Sequence, residues 1–94
     1  MHKYFLISYE IDQSKASYSS FFEAIEENTI RTWSLSKSFL VSSEKPIEEL
    51  GSILKKHIDP MDMLLIVEVT DKYFESGFPI HLMNALKNNG HQYS

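Results

Sequence analysis

The chain has 94 residues and a net charge of −4, from 13 acidic and 9 basic side chains, and it contains no cysteine. That length fits one domain, 1–94, which buries about 60–65% of the surface its unfolded form exposes. The missing cysteine excludes disulfides, thiolate zinc sites and a cysteine nucleophile, and the acidic balance lacks the basic footprint usual for nucleic-acid binding. Hydrophobic residues at 43% and aromatic residues at 13% argue against disorder.

After Met1-His2-Lys3, the run Tyr4-Phe5-Leu6-Ile7 is too short for a signal-peptide core or a membrane span, so a cytoplasmic location is expected. Residues 4–11 read as a central strand, with Phe5, Ile7, Tyr9 and Ile11 alternating against Tyr4, Leu6, Ser8 and Glu10. A polar loop from Asp12 to Ser17 leads to an amphipathic helix over about 17–28, whose Tyr18, Phe21, Phe22 and Ile25 share one face. Ser14 or Ser17 is a candidate cap for that helix, Ser20 with Glu23 resembles a capping box, and Asn28 is the expected end.

Residues 29–43 pattern as a hairpin with its turn near Ser36-Lys37, although no Asn-Gly or Asp-Gly marks the turn. Pro46 opens a second amphipathic helix, about 46–57, carrying Ile47, Leu50, Ile53 and Leu54. Gly51 weakens it by about 1 kcal/mol relative to alanine and points to a close approach to the sheet. After the turn Asp59-Pro60-Met61-Asp62, the run Met63 to Val69 is the clearest strand, and a short helix from Pro79 to Lys87 stops at Asn88-Asn89-Gly90.

The order β-α-β-β-α-β-α is that of an α+β, ferredoxin-like βαββαβ sandwich, with a core over about 3–70 and an additional C-terminal helix within the extension 71–94. The expected strand order is 4-1-3-2. Phe21, Phe22, Ile25, Leu50 and Leu54 would then cover one face together with Phe5 or Leu6, Val41 and Val67. Leu64 and Ile66 would lie on the opposite face, where a homodimer would cover them.

Chemistry-bearing residues are sparse. Glu10 and Asp12 at the end of the first strand are the candidate carboxylates for a Mg²⁺ ion, against the plainer reading of a soluble strand end. In HIDPMD, His57 suits a helix C-terminus and Asp59-Pro60 suits a turn, which outweighs a metal reading with Asp62. No histidine has a spaced partner that makes a zinc motif, and no Gly-rich phosphate loop is present. Arg31, Trp33 and Lys37 form a candidate binding patch on the hairpin, while Trp33 equally fits a core or dimer position.

The segments KYFLISYEID, LSKSFLVSS and HIDPMDMLLIVEV resemble the small SinR-like proteins grouped with the CRISPR-associated adaptation endonuclease family, in the same order over residues 3–70. The resemblance implies a ferredoxin-like fold and a homodimer. In the endonuclease branch it also implies a strand-end acidic pair that holds a divalent metal for phosphodiester cleavage. That acidic position falls on Glu10, a glutamate where the family has aspartate. Asp62 matches the acidic residue that opens the last strand, and Phe39 stands where tryptophan is frequent. The expected function is a small dimeric interaction module without catalysis or cofactor, binding another protein. The alternative is a Mg²⁺-dependent dimeric nuclease acting on RNA or DNA, with Glu10 and Asp12 as its carboxylates.

Overall fold

The computed structural model describes residues 3–11, 18–35, 38–70 and 72–91, with side chains through residue 86. Its elements are β1 (Lys3–Glu10), α1 (Ser19–Glu27), β2 (Arg31–Ser34), β3 (Ser38–Ser43), α2 (Ile47–Lys55), β4 (Met63–Val69) and α3 (Ile80–His91). The chain is thus α+β, with one antiparallel four-stranded sheet in the order β2-β3-β1-β4. This is the expected order, and it leaves β2 and β4 as the two edges.

The helices begin and end where backbone groups find partners. At the start of α1 the Tyr18 carbonyl accepts from the N–H groups of Phe21 and Phe22, at 3.0 and 3.2 Å, with no side-chain cap. The expected Ser20–Glu23 box therefore does not form, and Ser14 and Ser17 lie outside the described residues. At the other end the Asn28 amide and the Thr29 hydroxyl donate to the carbonyls of Ala24 and Ile25, at 2.7 and 2.8 Å. They satisfy acceptors that a helix end leaves open. Pro46, extended at ψ 153°, precedes α2, whose first turn carries Glu48 and Glu49 and whose last carries Lys55, as the helix dipole favours. A methyl group on Gly51 would meet only Ile66 Cδ1 at 3.8 Å, so packing on the sheet does not require glycine there. α3 starts after Pro79, as expected, but runs on through Gly90 to His91.

The main core lies between α1, α2 and one sheet face. Phe5, Ile7, Phe21, Ile25, Val41, Leu50 and Leu54 are fully buried there, with Tyr9, Phe22, Phe39, Leu64 and Ile66 packed around them. At about 1.5–3 kcal/mol per fully buried large apolar side chain, this cluster is the largest stabilising term in the fold. A second, smaller cluster lies on the opposite face, where Leu82 and Met83 of α3 bury Leu40, flanked by Trp33, Val69 and Leu86.

β4 faces the other way from the sequence expectation. Leu64 and Ile66 pack on the α1–α2 core, whereas Met63, Leu65 and Val67 point to the opposite face. Glu68 shares its side of the strand with Leu64 and Ile66. It escapes burial because it lies near the sheet margin, where its carboxylate comes within 3.9 Å of the Lys3 ammonium.

Candidate functional site

Arg31 and Trp33 stand two residues apart on β2 and so share the face that α3 partly covers. Trp33 sits opposite Leu40 and stacks on Tyr4 of β1, with ring centroids 6.0 Å apart and planes 24° from parallel. The Arg31 guanidinium lies 5.1 Å from the Trp33 ring centroid, a cation–π contact worth about 0.5–1 kcal/mol at an exposed site. Burial raises the Tyr4 phenol above its ordinary 10.0, while the Arg31 charge pulls it partly back. Tyr4 is therefore neutral at physiological pH, and Arg31 supplies the patch with positive charge. The indole is half-buried and the arginine exposed. Part of the Trp33 ring packs against the Leu40, Leu82 and Met83 cluster, so the core reading holds for that part of the side chain. Lys37 lies outside the described residues.

Beneath this patch Ser42, paired with both Tyr4 and Arg31, is fully buried, and its hydroxyl has no partner among the described residues. Its neighbour Ser43 donates to the Asn28 carbonyl at 2.8 Å and so ties β3 to the end of α1.

Glu10 is exposed at the last position of β1, opposite Met63. Asp12 lies outside the described residues. Among the described residues no three His, Asp or Glu side chains converge on one point.

Asp62 has a structural task. Its Oδ2 accepts from the Tyr18 hydroxyl at 2.8 Å and from the Asp59 N–H at 2.8 Å, while the Met61 N–H donates to Asp59 Oδ1 at 2.9 Å. The carboxylates of HIDPMD thus brace the turn into β4 and tie it to the start of α1. An open groove of about 720 Å³ runs beside this turn, walled by Ile47, Ile58, Leu64 and Ile66, with Glu48, Lys55 and Asp59 at its rim. Its charges are mixed in sign and converge on no point.

The exposed apolar strip on β4, which the sequence assigned to Leu64 and Ile66, is formed by the other side of the strand. Met63, Leu65 and Val67 are 65%, 61% and 46% exposed, on the sheet face that α1 and α2 do not cover. Farther along, Phe74 is 94% exposed, and Tyr73, Phe78 and Ile80 are exposed as well. Strict alternation would have revealed the strip, but MLLIVEV is apolar at every position except Glu68, so neither face can be told from the other. No helix among the described residues is long and apolar enough to cross a membrane. In comparisons with known proteins, no family model matches the chain and no curated protein matches its sequence.

Proposed function

We propose that this protein is a small homodimeric interaction module of ferredoxin-like fold, with α3 as an added C-terminal helix, that binds another protein and performs no catalysis of its own. The observation that carries this reading is the exposed apolar surface, Met63, Leu65, Val67, Phe74 and Ile80, which serves neither of the two cores. Met63, Leu65 and Val67 lie at alternate positions of one strand, and an exposed apolar strip of that kind on a small domain marks contact with a partner. The Arg31–Trp33 pair suits the protein partner, because an arginine beside an aromatic ring offers charge and rigid contact area together. A partner surface bearing carboxylates or carbonyl oxygens would complement it. The resemblance to the small SinR-like proteins agrees with the fold and the dimer.

The nuclease reading draws on one observation, the exposed carboxylate of Glu10 at the end of a central strand. It needs a second carboxylate brought by another copy, and a net charge of −4 works against phosphate binding.

Affinity capture from the native cell, comparing the wild type with Arg31→Glu and Trp33→Ala, tests the proposal. One protein recovered at equal stoichiometry with the wild type, and lost with either variant, is the expected result. Absence of any stoichiometric partner would overturn it. So would Mg²⁺- or Mn²⁺-dependent cleavage of RNA or DNA that disappears in Glu10→Ala, which would establish the nuclease instead.

A further inference from the structure

We propose that a second copy of this chain pairs along the free edge of β4, antiparallel about a two-fold axis centred on Ile66. The two sheets would become one of eight strands. This rests on the homodimer reading above and specifies its geometry.

The two edges of the sheet differ in how they are defended. β2 has four residues and carries the exposed Arg31, whereas β4 has seven, holds an unbroken register with β1, and contains neither proline nor lysine. Charges, proline, bulges and shortness are what keep a strand edge from pairing with another chain. β4 has only Glu68, close to one end. Among the described residues no strand pairs with its outer side. An edge strand that no other described strand pairs, beside an exposed apolar strip, is best covered by another strand of the same alternation.

The register follows from charge and face. Residues opposite one another in an antiparallel pair must point to the same side of the sheet, so symmetric pairing centres on a residue. Centred on Leu65, it would set Glu68 against Asp62 of the second copy, and like charges directly opposed are destabilising. Centred on Val67, it would leave Met63 and Leu64 without partners in the other β4. Centred on Ile66, all seven residues pair within the two strands. Met63 then faces Val69 of the second copy and Leu65 faces Val67, which joins the two exposed strips into one apolar surface.

This geometry has a functional consequence. Glu10 lies beside Met63, and its counterpart lies beside Met63 of the other copy, six residues farther along and three strand spacings away. At about 3.4 Å per residue and 4.8 Å per strand, the two carboxylates stand roughly 25 Å apart and cannot share one ion. The two Arg31–Trp33 patches, by contrast, end up on the far edges of the joint sheet, both open to partners.

A chain without cysteine allows a clean cross-linking test. Met63→Cys, Leu65→Cys and Val67→Cys, all at exposed positions, are prepared with and without a mass tag, mixed in pairs and oxidised with oxidised glutathione. Leu65→Cys mixed with Val67→Cys should form a disulfide-linked dimer several-fold faster than either alone. Rapid self-linking of Leu65→Cys or of Val67→Cys would overturn the Ile66-centred register. A dimer by light scattering that cross-links at none of these positions would overturn edge pairing while leaving the homodimer standing. A monomer would overturn both. The double variant Leu65→Lys/Val67→Lys should be monomeric with an unchanged circular dichroism spectrum, and its persistence as a dimer would also contradict the proposal.

Discussion

Phe5→Ala should lower the unfolding free energy by about 3–5 kcal/mol, the range for removing a buried aromatic ring. Phe5 has no exposed surface and lies on β1 between Val41 of β3 and Glu68 of β4, beneath the helices. Phe21, Ile25, Leu50 and Leu54 are parts of the same cluster, so the cavity would open where both helices meet the sheet. Small domains hold only about 5–15 kcal/mol in total, so the loss is a large share of the stability. Urea unfolding measures the change: the midpoint should fall sharply with an unchanged slope. A loss below about 1 kcal/mol would mean that the core is not where the structure places it.

The second large effect concerns α3. Its hold on the sheet depends on Leu82, Met83 and Leu86 closing over Leu40 and Trp33. Leu82→Ala should weaken that docking by about 2–5 kcal/mol. Leu82→Asp, which would bury an unpaired carboxylate, should detach the helix altogether. The main core lies on the opposite face and shares none of these side chains, so the sheet and the first two helices should remain folded. The chain's single tryptophan reports the event directly. Trp33 emission should shift to longer wavelength in Leu82→Asp, while the sheet signal in circular dichroism survives. Unchanged emission would show that α3 does not depend on Leu82, and collapse of the whole spectrum would show that the two clusters fold as one.

Much of this fold was legible in the sequence because local rules and the global fold agree. Phe21, Phe22 and Ile25 fall at helical spacing, and their face is the one buried. Pro46 and Asn28 mark helix ends by their backbone chemistry, and both stand at those ends. The strand order followed from the element order. What failed was the face of β4, because a strand apolar on both sides carries no alternation, and its one charged residue lies at the sheet margin.

The candidate sites were legible only in part. Arg31 and Trp33 come together as their spacing on one strand requires. The ring that completes the patch, Tyr4, comes from β1 across two strand pairings and could be placed only once the register was known. Asp62 looked like a possible ligand because carboxylates in a turn bind metals and brace turns with the same oxygens. Its hydrogen bonds to Tyr18 and Asp59 decide for the turn.

Light scattering of the wild-type protein at high micromolar concentration tests the central claim most directly, since both the interaction reading and the paired β4 edges require two copies. The account predicts a particle of twice the 10.9 kDa chain mass. A mass of one chain at every concentration would contradict it.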